Sequence, residues 1–128
     1  MHVLWDFIGR FFLFVWYNMT MSAANDLTNK IIDYIYRQGG YAWRASSVGI
    51  YDQQLHSFRT AAKKGVADIL ACIPPAGKLA AIEVKIGKDR LSPEQAGFLE
   101  NIKAVGGLAF VARSFEEFVC WWKEVIHI

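Results

Sequence analysis

Three charged residues stand inside otherwise apolar segments: Asp68 in Val66-Ala67-Asp68-Ile69-Leu70, and Glu83 and Lys85 in Ala81-Ile82-Glu83-Val84-Lys85-Ile86. Two carboxylates and an ammonium group so placed suit divalent-metal-assisted hydrolysis of a phosphodiester. Mg²⁺ is a hard cation that takes oxygen ligands in octahedral geometry, commonly one or two carboxylates plus waters and substrate phosphate. Asp68 and Glu83 would give side-chain oxygens and Val84 a backbone carbonyl. A bound metal acidifies its water and screens the scissile phosphate. Lys85 would orient or activate the nucleophile, or stabilise the pentacovalent phosphate. Taken singly, each residue is better explained by a solvated strand face with an exposed Glu–Lys pair. Asp68 opposite Glu-x-Lys within two apolar strands favours a site.

The elements that would position these residues can be read from the same stretch. Between its two apolar runs lies Pro74-Pro75-Ala76-Gly77, a cluster of turn formers, so the runs form a hairpin. A loop symmetric about Pro75 and Ala76 pairs residues whose numbers sum to 151. Asp68 then faces Glu83, and Ile69 faces Ile82. Alternation puts Asp68, Glu83 and Lys85 on one face and Ile82, Val84 and Ile86 on the other. Directly opposed side chains have Cβ atoms ~5 Å apart, where like charges repel, so the pair calls for a compensating cation. A one-residue bulge would break this alignment.

Around the hairpin the pattern is mixed. Residues 22–38 carry a helical stripe of Leu27, Ile31, Tyr34 and Ile35, stopped by Gly39-Gly40. Asp26 lies at the border of that stripe, and Asn25 points nearly opposite it or caps the helix. Tyr41 to Ala45 reads as a strand. Residues 47–64 have no clear period and read as a loop. Ser92-Pro93-Glu94-Gln95 opens a helix with a capping box, stripe Phe98, Leu99, Ile102 and Val105, and stop Gly106-Gly107. Gln95 projects to the side of Phe98 and Leu99. Leu108 to Ala112 reads as a buried strand, and Ser114-x-x-Glu117 opens a last helix burying Phe118, Val119, Trp122, Val125 and Ile126. The order α, β, two hairpin strands, α, β, α specifies an α/β sandwich around a central sheet.

At 128 residues and 54% apolar content, one domain can bury its own core and disorder is excluded. Cys72 and Cys120 make neither a disulfide framework nor a zinc site, and both read as core residues of a reducing compartment. His2, His56 and His127 lack metal-ligand spacing. There is no glycine-rich phosphate loop and no serine triad to argue for. The net charge is only +2, but residues 37–90 hold nine Lys/Arg against four acids. That concentration, with Tyr51, His56, Phe58, Arg59, Lys63 and Lys64 in the irregular loop, suits a phosphate backbone and exposed bases. A solvated basic surface on a mobile loop would look the same.

Residues 1–21 stand apart. Val3 to Tyr17 is intensely apolar but interrupted by Asp6 and Arg10, and it is shorter than the ~20 residues of a membrane span. It has no basic leading segment and no small-residue cleavage site. Three readings compete: an interfacial or partner-binding helix, a failed membrane segment, or a start-site artefact, with Met19 and Met21 preceding an ordinary domain. The last is favoured, which makes 22–128 the working domain.

Gly65-Val66-Ala67-Asp68, Ile82-Glu83-Val84-Lys85, Leu91-Ser92-Pro93-Glu94-Gln95, Gly106-Gly107 and Val111-Ala112-Arg113-Ser114 together resemble the VRR-NUC domain. This is the virus-type replication-repair nuclease branch of the PD-(D/E)xK phosphodiesterases. The resemblance runs from about Ser22 to the last helix, and the ordered set is specific where a lone Glu-x-Lys is not. It implies a restriction-endonuclease-like αβββαβ core, a central mixed sheet flanked by helices, with a C-terminal helix. It also implies Mg²⁺ or Mn²⁺ dependence and endonuclease action on branched DNA, such as Holliday junctions or flaps, in phage or bacterial replication, recombination or repair. Small stand-alone members are similar to junction resolvases in being dimeric, so a cytoplasmic homodimer acting on DNA, without a small-molecule cofactor, is expected.

Under the resemblance Asp68 matches the metal-binding aspartate, Glu83 and Lys85 the Glu-x-Lys pair, and Gln95 the glutamine of the following helix. Arg44 matches a substrate-contacting position, and Arg59, Lys63, Lys64, Lys88 and Arg90 would line the DNA. Two departures stand out. Ala67 replaces a frequent proline before the aspartate. The first helix has Ala24, Asn25 and Asp26 where a glutamate is common, and Asp26 is its best substitute as a metal ligand. The alternative function is a DNA-binding module without catalysis on the same fold. A membrane-associated role rests only on residues 3–17.

Overall fold

The computed structural model describes residues 2–45, 50–59 and 63–127. In chain order the elements are α1 (His2–Arg37), β1 (Tyr41–Arg44), β2 (Ile50–Asp52), β3 (Ser57–Arg59), β4 (Ile69–Ile73), β5 (Lys78–Val84), α2 (Pro93–Ala104), β6 (Leu108–Ala112) and α3 (Phe115–Val125). The main sheet runs β1-β4-β5-β6, and β2 pairs with β3 in a separate ribbon. β1, β4 and β5 are antiparallel, while β6 lies parallel to β5 after the α2 crossover. This is the mixed sheet flanked by helices that the sequence leads one to expect.

The hairpin register is as read from its turn. Ile69 pairs with Ile82, Ala71 with Ala80 and Ile73 with Lys78, and Gly77 N–H closes the turn on Ile73 carbonyl at 2.9 Å. Strand alternation then builds two apolar layers. Ile69, Ala71, Ile73, Ala80, Ile82 and Val84 bury against Leu27, Ile31 and Ile35 of α1 and Phe118 and Trp122 of α3. On the other face Ala67 and Ala81 bury against Leu99 of α2, with Phe98, Ile102 and Val111 beside them. Each Ile, Leu or Phe so buried contributes roughly 1.5–3 kcal/mol, which holds the strands in register.

Several expectations need correction. The first helix does not begin near Ser22. It runs unbroken from His2 to Arg37, so Asn25 is no cap, because no glycine or proline near the composition shift stops it. Between Phe7 and Trp16 it stands away from the core, with Phe7, Phe12, Leu13, Phe14 and Trp16 all about two-thirds exposed. Among the described residues no helix is long and apolar enough to cross a membrane. The patternless stretch contains the β2–β3 ribbon, whose three-residue strands are too short to show a period. The strand expected at Tyr41–Ala45 ends at Arg44. Val105 is not core but the exposed C-cap of α2. Cys120 is exposed on α3, whereas Cys72 is half-buried.

Candidate active site

The site forms where the hairpin strands leave the sheet. β4 peels away at Asp68, and the Asp68 carboxylate Oδ2, not a backbone carbonyl, accepts Val84 N–H at 2.8 Å. Asp68 carbonyl still accepts Ala45 N–H at 2.9 Å, and Lys85 N–H donates to Ala112 carbonyl at 3.0 Å. The backbones at Asp68 and Lys85 are therefore held from both sides while their side chains converge on Glu83. Glu83 is 1% exposed and Lys85 7% exposed, a degree of burial that charged groups show only when paired.

Glu83 is the hub. Its Oε1 accepts Gln95 Nε2–H at 3.0 Å and lies 3.7 Å from Lys85 Nζ. Burial first, then the neighbouring Asp68 carboxylate, push the Glu83 carboxyl up to about 8, against the opposing pull of Lys85. Its Oε2 is buried with no hydrogen-bond partner. Two adjacent carboxylates, one with an orphaned buried oxygen, form an under-neutralised, all-oxygen donor set. That set fits a hard divalent cation: Asp68, Glu83 and the Val84 carbonyl would hold it, and when bound it acidifies water and screens phosphate charge. Among the described residues no three His, Cys, Asp or Glu side chains converge on a metal site. Asp26, exposed on α1, thus does not complete a triad with Asp68 and Glu83. The α1 residues that share a cavity wall with Val84 are Trp16 and Ala24.

Gln95 is set by the capping box. Ser92 Oγ accepts Gln95 N–H at 3.1 Å, and Gln95 Oε1 accepts Ser92 N–H at 2.9 Å. With Oε1 committed to an amide donor, Nε2 must face Glu83, so the helix cap also fixes which end of the amide meets the carboxylate. Gln95→Glu keeps the cap but turns this donor into a third carboxylate. Cleavage is expected to fall roughly 10–100-fold, and Tm of the metal-free protein to fall as well, because the new carboxylate faces the buried Glu83; rates and melting curves of the variant check it.

Residues with no assigned role in the sequence reading complete the site. Asp89 Oδ2 lies 3.6 Å from Lys85 Nζ, so Lys85 is held between Asp89 and Glu83. Arg113 Nη1 donates to the carbonyls of Gly87, at 3.3 Å, and Asp89, at 3.0 Å, fastening that loop. Arg113 was visible only as part of a motif and Asp89 only as a loop charge. Gly65 adopts φ +77°, and a Cβ there would strike the Glu94 carbonyl and come within 2.8 Å of Gln95 N. Gly65→Ala is expected to cost about 1–3 kcal/mol and to dislodge Gln95, lowering Tm and cleavage together; a melt and a rate on the same preparation check this.

The proposed DNA-binding residues divide. Lys88 and Arg90 are exposed in the loop beside Lys85, and Lys63 and Lys64 are exposed just before Gly65. Arg59 ends β3, with its side chain outside the described residues. Arg44 pairs with Ile69, on the α1 side of the sheet, and donates to Asn29 Oδ1 at 2.8 Å and Asn25 Oδ1 at 3.3 Å. It is engaged with α1 rather than turned toward Glu83.

The VRR-NUC domain profile matches residues 25–116. The chain belongs to the VRR-NUC family. A solved VRR-NUC domain structure is similar at 20% identity and a TM-score of 0.55, covering 81% of this chain and 94% of that one; at that identity the likeness speaks for the fold. None of the curated proteins compared matches. VRR-NUC domains are nuclease-type and act on nucleic acid. The site at Asp68, Glu83, Lys85 and Gln95 lies wholly within the matched residues.

Proposed function

We propose that this VRR-NUC protein is a divalent-metal-dependent endodeoxyribonuclease, with Mg²⁺ or Mn²⁺ as cofactor and branched or flapped DNA as substrate. The observation that carries the reading is the orphaned Glu83 Oε2 beside Asp68, in a carboxyl pushed up to about 8 by burial and its neighbour. Metal-free, the site is short of positive charge. Asp68 and Glu83 hold the cation, and Gln95 keeps Glu83 oriented through its amide. Lys85, steered by Asp89, presents its ammonium group to the attacked phosphate and stabilises the charge that grows there. Lys88, Arg90, Lys63 and Lys64 bind the DNA backbone. The active unit is a homodimer in the cytoplasm of a bacterium or of a phage-infected cell, where it serves replication, recombination or repair.

A panel of duplex, single-stranded, flap and four-way-junction DNA with Mg²⁺, Mn²⁺ or EDTA tests this. Metal-dependent cuts confined to branched substrates are expected. Salt-sensitive binding with no cleavage under any divalent ion would instead identify a binding module on the same fold.

A further inference from the structure

On the α1 side of β5, opposite the strand face that carries Glu83 and behind the loop that carries Asp89, lies a cavity of about 610 Å³ lined by Trp16, Ala24, Val84, Ile86, Lys88 and Asp89. Its walls are aliphatic except for Trp16, which is 65% exposed. Its rim is charged: Lys88 is exposed, and Asp89 Oδ2 lies 3.6 Å from Lys85 Nζ. The loop is thus a shared wall, with the cavity on one side and Lys85 on the other.

We propose that this cavity receives one unpaired nucleobase of the DNA substrate, stacked against Trp16, with the adjoining phosphate on Lys88. The proposal rests on the nuclease reading above and deepens it by naming what selects the substrate. Protein cavities that enclose small ligands span ~300–1,000 Å³, so one nucleotide fits. Aromatic planes hold bases without regard to sequence, and aliphatic walls can cover the opposite ring face. A cation at the mouth matches the phosphate that every base brings with it. A paired base has both faces covered by its neighbours and must leave the stack to enter, at a cost of a few kcal/mol. An unpaired base at a flap or junction has no such cost. Because the loop touches Lys85, the captured base belongs to a nucleotide close to the scissile phosphate. Branched DNA is then preferred for its loose base, not for its overall shape.

The test uses a flap DNA with 2-aminopurine at the first unpaired position and fluorescein at its far end. Full-length protein is titrated in with Ca²⁺ replacing Mg²⁺, and both signals are read in one cuvette. Wild-type protein is expected to raise fluorescein anisotropy and to quench 2-aminopurine several-fold. Trp16→Ala, on the exposed part of α1, should still bind, roughly tenfold more weakly, without quenching, and Trp16→Phe should restore most of it. An anisotropy rise with no quenching by wild type, or equal quenching by Trp16→Ala, overturns the base pocket, leaves the nuclease reading intact and frees the cavity for an apolar segment of a protein partner. No anisotropy change with any DNA overturns the nuclease reading and the pocket with it.

Discussion

Metal-free protein is expected to melt at a lower temperature as pH is raised from about 5 to about 8, and Glu83→Gln is expected to remove most of that loss. The Glu83 carboxyl is raised from 4.5 to about 8, by burial first and by Asp68 next. A carboxyl raised on folding holds its proton in the native state at pH values where the unfolded chain has released it. Its contribution is therefore fully present below the unfolded pKa near 4.5 and is lost as pH climbs through about 8. The effect is of order 2–4 kcal/mol, and a change of 1 kcal/mol moves Tm by about 4–8 °C in a domain near this size. A divalent cation reverses the sign of the argument by favouring the ionised carboxyl. Mg²⁺ should therefore raise Tm more at pH 8 than at pH 5 in the wild type, and hardly at all in Glu83→Gln. Differential scanning fluorimetry across pH, with Mg²⁺ or EDTA, measures both. An identical pH profile for wild type and Glu83→Gln would show that Glu83 is not the perturbed group.

Lys85→Met is expected to abolish cleavage, by about 10³-fold or more, while leaving the fold in place. Breaking a buried ion pair normally costs about 3–5 kcal/mol, because the surviving charge is stranded. Here Glu83 is not stranded as a charge below about pH 8, because its carboxyl, raised to about 8 by burial and by Asp68, already holds a proton. Methionine fills the space of the lysine stem, which is 8% exposed. Folding and catalysis are thus separable at this position. Circular dichroism and single-turnover cleavage on one preparation measure them; wild-type cleavage by Lys85→Met would remove Lys85 from the chemistry.

What the sequence made legible was whatever local rules decide. A turn with a symmetric cluster of Pro, Ala and Gly set the hairpin register, so Asp68 was brought to Glu83 correctly. Ser92 and Gln95 announced the start of α2, and the same capping box aims the Gln95 amide. What stayed hidden was set by contacts between distant segments. Nothing near Gly65 reveals that its backbone lies against Glu94 and Gln95. Nothing near Arg113 reveals that it clasps the loop of Gly87 and Asp89 from just past the end of β6. Arg44 was legible as a residue but not as a partner of Asn25 and Asn29. The continuity of α1 was obscured because the run Phe11 to Tyr17 is apolar on all sides, which erases the helical period on which such reading depends.

The hairpin on which everything turns is proposed as a cation-holding carboxylate pair that cuts DNA. The most direct measurement is the cleavage rate of a flap DNA against Mg²⁺ concentration, wild type beside Asp68→Asn. Saturable Mg²⁺ activation of the wild type, with the variant inactive yet equally stable in the melt, is the expected result. Equal rates for the two proteins, or a wild-type rate unchanged by EDTA, would contradict the account.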